Sequence, residues 1–361
     1  MTSRLGLAGG PTGLGTAALR IASPAAVLGP ARAAPARAAP SGGVAVPRLY
    51  GPGAVRDDEA LARAVDDRLV AWIQEEGVFA GEADRLRHQS YGRLVMLTHP
   101  DTNDPDQLML AARWAVALWA ADDLYTDDQS AGADATLVAP RLLGALAAID
   151  TPALLGRYAG QLRDALAGDD VVVSLRSSME WVARHATPSQ LHRSRHEIAN
   201  MFVSWNAAAS WRTAGRVPPV WEYLMARHFD SFVPCMVMID IVGGYELPAV
   251  LYADPRVNRA VMLAGSAATI ANDLYSMAKE ERPELGDVNL PVLVAAEERC
   301  SLQEAVDISV SYHAEVVRAF EAAHRELLVV PSPELQRFLL GLRAWIGGSD
   351  EWHRTSGRYR S

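Results

Sequence analysis

From Asp57 onward the sequence reads as helix-length runs of apolar residues cut by proline and glycine, with no run of period-two alternation. Such a chain can bury its apolar faces only helix against helix, and an all-α fold is expected. Several helix starts are explicit. Asp104 precedes Pro105, Asp254 precedes Pro255, and Ser301 stands three residues before Glu304, which is capping-box spacing. Gly243-Gly244 lacks the strand-turn-helix context of a dinucleotide loop and reads as a helix break. At typical helix lengths this predicts about ten to twelve helices, in one domain over residues 48–361.

Residues 1–47 differ in kind. They hold 13 Ala, 8 Gly, 6 Pro and four Arg, with no acid and no aromatic residue, and repeat ARAAP at 31–40. This composition cannot pack a core, and a disordered leader is expected. Residues 16–29 followed by AxA triplets have the outline of a secretory signal, but Arg20 and Pro24 interrupt its apolar stretch. The best apolar run, residues 233–244, contains Pro234 and Asp240 and is too short for a bilayer span, so no membrane association is expected. A net charge of −9 argues against nucleic acid as a partner. Cys235 and Cys300 form neither a CxxC nor a Cys/His cluster, which suits a reducing cytoplasm.

The helix opening at Asp104 ends in DDLYTDD, four carboxylates within seven positions: Asp122, Asp123, Asp127 and Asp128. Acids at a helix C-terminus oppose the macrodipole, Asp123 and Asp127 repel at i,i+4, and no Lys or Arg lies between them. Mg²⁺ would supply the missing positive charge, since it prefers carboxylate oxygens and keeps positions open for substrate phosphates. A solvated acidic helix end is the plainer alternative. Asn272, Ser276 and Glu280, at i, i+4 and i+8, share one helix face and form an oxygen-donor set for a second Mg²⁺; Lys279, the chain's single lysine, can reach a phosphate. A polar stripe on a surface helix is the competing reading. His185, His192, His196 and His228 show no metal spacing, although His228, next to Arg227, could touch phosphate.

On these motifs the chain resembles the bacterial class I terpene cyclases. DDLYTDD matches that family's aspartate-rich motif and NDLYSMAKE its Asn/Ser/Glu triad, with Arg227 of EYLMAR and the carboxy-terminal WHRTSGRY as further matches. The resemblance implies an all-α class I terpenoid synthase bundle around a central apolar pocket. It implies Mg²⁺, three ions, held by Asp122, Asp123, Asp127, Asn272, Ser276 and Glu280. Arg227 would be the diphosphate sensor, and Lys279, Arg358 and Tyr359 would hydrogen-bond the diphosphate, with Asp122, Asp123 and Arg227 the catalytic set. Asp128 falls outside the favoured ligand spacing. Trp119, one turn before the aspartates, and Trp352, six residues before Arg358, are candidates to line the pocket and stabilise a cation.

A narrower resemblance rests on LYGPGAVRDDEALARAVDDRLVAWIQEEGVF, YGRLVMLTHPDTNDPDQL and SFVPCMVMIDIVGGYELP, from about residue 48 to the end. It points to cyclases of 2-methylgeranyl diphosphate that pass through a terpinyl-type to a bornyl-type cation and capture water. Leu124 at the third motif position departs from that subgroup's pattern. The alternatives are a cyclase of geranyl or farnesyl diphosphate, an ending by deprotonation, or a noncatalytic helical scaffold. A chain-elongating prenyltransferase would carry a second aspartate-rich motif where this chain has NDLYSMAKE. The expected partners are a prenyl diphosphate substrate, an upstream SAM-dependent methyltransferase linked only through metabolism, and a second copy in a homodimer.

Overall fold

In a computed structural model, residues 44–127, 134–277 and 289–358 are described. The leader up to residue 43, Asp128, Lys279, Glu280 and Tyr359 lie outside the described residues, as does the side chain of Asp127. Ala45, three positions before the expected domain start, is already paired with Gln303: Ala45 N donates to Gln303 Oε1 at 2.9 Å, and Gln303 Nε2 donates to Ala45 O at 3.0 Å.

The elements are α1 (Glu59–Glu76), α2 (Ala83–Gln89), α3 (Tyr91–Thr98), α4 (Pro105–Ala121), α5 (Val138–Ile149), α6 (Arg157–Leu166), α7 (Asp170–Ala183) and α8 (Pro188–Thr213). They continue with α9 (Val220–Phe229), α10 (Val233–Met236), α11 (Ile239–Val242), α12 (Ala249–Tyr252), α13 (Pro255–Ser276), α14 (Leu290–Glu298), α15 (Leu302–Leu327) and α16 (Pro333–Thr355). The described residues hold no strand, as the missing period-two pattern requires. The described residues hold sixteen α-helical segments, more than the expected ten to twelve, and residues 233–252 alone break into three single turns. Pro234 sits in the first turn of α10, and Gly244, at φ 69°, follows α11.

The sequence caps form as read. Asp104 accepts from Asp106 N at 2.9 Å, Asp254 accepts from Arg256 N at 2.9 Å, and Ser301 and Glu304 close both halves of their capping box. A second box, Thr187 with Gln190, opens α8. Arg56 closes the end of α3 by donating to the carbonyls of Met96, His99 and Thr102.

α13 packs against α15 and α16, α16 against α3, α3 against α1, and α4 against α1 and α7. The α1–α3 crossing is close: a Cβ at Gly92 would lie 2.2 Å from Ala62 O, and Gly92 N donates to Asp66 Oδ1 at 2.6 Å. Burial, only partly offset by that hydrogen bond, pushes the Asp66 carboxyl up from 3.8 to about 7. Its folded pKa lies above the unfolded one, so its contribution is fully present below pH 3.8 and lost as pH rises through about 7. Asp66→Asn, which keeps an oxygen for Gly92, should therefore gain melting temperature over the wild type between pH 5 and 8 and show no gain near pH 4. A gap that did not change with pH would refute the assignment.

Candidate active site

The C-terminal ends of α4, α9, α13 and α16 carry the residues the sequence singles out. Past Ala121, α4 widens into a π-helical turn, Asp122–Asp127, a distortion frequent at functional sites. Thr126 Oγ1 donates to Asp122 O at 2.7 Å and to Asp122 Oδ1 at 3.0 Å, which fixes this carboxylate against its own turn. Asp123 is buried, and Arg358 grips it with both nitrogens, at 2.8 and 3.0 Å, while Arg85 reaches it at 3.4 Å. This corrects the expectation that nothing positive stands near the acidic run: α2 and the C-terminal segment bring two guanidinium groups to Asp123. Arg358 is thus engaged with an acid in this structure.

On α13, Asn272 and Ser276 lie one turn apart, as their spacing predicts. Arg227, in the last turn of α9, donates to Asn272 Oδ1 at 3.1 Å, to Asp273 Oδ1 at 2.6 Å and to Asp230 Oδ2 at 2.6 Å. Burial pulls against its charge, but Asp273, Tyr223 and Asp230 outweigh it and hold its pKa well above the ordinary arginine range. Asp273 also accepts from Tyr223 Oη at 2.8 Å and from Leu290 N at 3.2 Å, which locks α9, α13 and α14 together. His228 is exposed, its ring edge-on to Phe229 at 5.0 Å.

Trp119 and Trp352 meet, with centroids 5.8 Å apart, and Tyr91 contacts both, at 5.5 and 5.9 Å. Phe232 adds a face 5.6 Å from Trp119 and 5.7 Å from His353. The Trp352 indole donates to Ser90 O at 2.9 Å, so the ring is anchored by its polar edge. His353 in turn lies 3.1 Å from Asn272 Nδ2, and burial pushes its pKa down from 6.5 to about 4. An unbroken run of aromatic rings therefore joins the helix that ends at the aspartates to the helix that carries Asn272.

These donors suit a hard divalent cation. Ser276 Oγ is buried and without a hydrogen-bond partner among the described residues, the condition of a hydroxyl awaiting a ligand. The Asp122 and Asp123 carboxylates and the Asn272 amide oxygen are the oxygen types Mg²⁺ prefers. Among the described residues no three His, Cys, Asp or Glu side chains gather as a metal cluster; Glu280 and the Asp127 carboxylate lie outside them. The sequence reading missed Arg85, Tyr91, Tyr223, Asp230, Phe232, Asp273 and His353. Asp230, three residues after Arg227, and Asp273, next to Asn272, were readable from spacing; the others arrive through tertiary contacts.

Residues 113–319 match the family model "Terpene synthase family 2, C-terminal metal binding". A 2-methylisoborneol synthase of Streptomyces ambofaciens is 42% identical over 356 residues, 96% of this chain and 79% of that protein. Another, from Saccharopolyspora erythraea, is 34% identical over 87% of this chain and 89% of its own length. The crystal structure of the Streptomyces coelicolor 2-methylisoborneol synthase with Mg²⁺ and 2-fluoroneryl diphosphate superposes with a TM-score of 0.80 at 38% identity, covering 90% of this chain and 98% of that one.

Proposed function

This chain belongs to the bacterial class I terpene synthases, all-α Mg²⁺-dependent cyclases of prenyl diphosphates, and we propose that within them it converts 2-methylgeranyl diphosphate to 2-methylisoborneol. The observation that carries the chemistry is the cluster of Tyr91, Trp119, Phe232 and Trp352 rings that connects the helix of the acidic turn, through His353, to the Asn272 face. The choice of substrate draws its support from relatives of that name at 34–42% identity.

Asp122, Asp123 and Asp127 on one side, and Asn272, Ser276 and Glu280 on the other, would hold Mg²⁺, which when bound neutralises diphosphate charge as the leaving group departs. Arg227, Lys279, Arg358 and Tyr359 would donate to the diphosphate oxygens. For Arg358 this requires exchange of its Asp123 carboxylate for phosphate. The aromatic faces would stabilise the allylic cation by about 0.5 to 2 kcal/mol each. Their π-faces carry no lone pair to trap it, which would let cyclisation to a bornyl-type cation precede capture by water.

The methylated substrate would come from an upstream SAM-dependent methyltransferase. Cys235 and Cys300 are both unpaired, no described helix is long and apolar enough to cross a membrane, and we place the activity in the cytoplasm. A homodimer and a leader outside the cyclase domain complete the proposal.

The test is incubation with geranyl, 2-methylgeranyl and farnesyl diphosphates, with and without Mg²⁺, followed by product identification. 2-Methylgeranyl diphosphate should be preferred and should yield the bicyclic alcohol, and chelation of the metal should abolish diphosphate release. Preference for farnesyl diphosphate, or a methylene product, would overturn the substrate assignment.

A further inference from the structure

The Asn272 carboxamide is useful to a cation by its oxygen only, and a primary amide can turn over. In this structure each end has a different partner: Arg227 Nη2 donates to Oδ1 at 3.1 Å, and Nδ2 lies 3.1 Å from His353 Nε2. The ring's other nitrogen, Nδ1, lies 2.7 Å from Ser349 O, an atom that can only accept. The proton therefore sits on Nδ1, Nε2 is an acceptor, and the amide must present N–H to the histidine and oxygen to Arg227. His353 cannot swivel: it is 1% exposed, stacked on Tyr275 at 6.2 Å and 14°, and flanked edge-on by Phe232 at 5.7 Å and Trp352 at 5.0 Å.

We propose that His353 is a positioning residue that holds the Asn272 amide with Oδ1 toward the cation site. The proposal rests on the reading above that Asn272 is a ligand. On that reading Arg227 turns to the diphosphate when substrate arrives, and the histidine becomes the constraint that keeps the amide from flipping. A partner that orients a metal ligand without touching the metal commonly accounts for about 10- to 100-fold in metal affinity or activity.

The test compares three variants in the full-length protein by the Mg²⁺ concentration that half-saturates diphosphate release. A calorimetric titration with Mg²⁺ and inorganic pyrophosphate supplies a readout free of turnover. His353→Phe keeps the ring and its packing but removes the acceptor, and should raise half-saturating Mg²⁺ by about 10- to 100-fold with a matching loss of pyrophosphate affinity. His353→Gln, whose Oε1 falls near the position of Nε2, should recover to within about threefold of wild type. In an Asn272→Asp background both carboxylate ends are oxygens, so orientation no longer matters and His353→Phe should add no further loss.

A role in packing alone predicts that Phe is milder than Gln, or that Phe is equally harmful in both backgrounds; either result overturns the proposal. Should the Phe variant show no cooperative thermal transition, the comparison passes to His353→Asn, whose amide is too short to reach Asn272. Equality of Asn and Gln would then overturn it. If the wild type itself needs no divalent metal, the functional reading fails; a metal-dependent wild type with an unimpaired Phe variant sinks His353 alone.

Discussion

Ser276→Ala is expected to lower diphosphate release by at least about 10-fold at limiting Mg²⁺ and to leave the melting temperature equal to or above that of the wild type. The two halves have one cause. Ser276 Oγ is buried and has no hydrogen-bond partner among the described residues, so the fold carries an unpaid desolvation of about 1 to 3 kcal/mol that alanine removes. A hydroxyl that weakens the apo fold persists where a ligand completes its coordination. If the three hold the cation together, as proposed above, Asn272→Ala and Glu280→Gln should slow turnover in the same direction, with combined effects short of the product of the single ones. Ser276→Ala retaining full turnover at limiting Mg²⁺ would remove this hydroxyl from the metal site. A variant that lost stability as well as turnover would show that the hydroxyl has a partner in the fold.

What could be read from the sequence was whatever lies within a few residues along one helix. The Asp104, Asp254 and Ser301 caps are local hydrogen bonds, and the shared face of Asn272 and Ser276 follows from 100° per residue. What periodicity encodes is a face, and it says nothing of the partner that face will meet. The acidic run shows the consequence. Its charge looked uncompensated along the chain, yet Arg358 reaches Asp123 from 235 residues away and Arg85 from 38. His353, one position after a tryptophan chosen for its aromatic face, went unread because its role depends on an amide 81 residues distant. The break of residues 233–252 into single turns was half legible: Gly243-Gly244 reads as a helix break, but the ion pair that holds the segment lies between elements far apart in sequence.

That ion pair sets the largest expected stability effect. Asp240 is fully buried; one oxygen accepts from Arg193 Nη2 at 2.6 Å and the other from Leu247 N at 2.9 Å. Arg193 also donates to Val237 O at 3.2 Å and lies 4.3 Å from the Tyr252 ring centroid, so α8 is fastened to the whole α10–α12 segment that follows Phe232. Asp240→Ala removes the counter-charge hydrogen-bonded to the buried Arg193 guanidinium, leaving Glu197 on the same helix as its remaining acidic neighbour, and strips Leu247 N of its acceptor, a change that costs about 3 kcal/mol. In a domain of this size that corresponds to a fall in melting temperature of roughly 10 °C. Asp240→Asn keeps an acceptor for Leu247 and should fall between the two. The decisive variant is the double substitution Arg193→Met with Asp240→Leu: a buried pair replaced by apolar groups of similar volume is often neutral, so it should recover most of the loss. If the double variant melted as low as Asp240→Ala, the polar contacts to Val237 and Leu247 would be holding the segment and the charge pair would not.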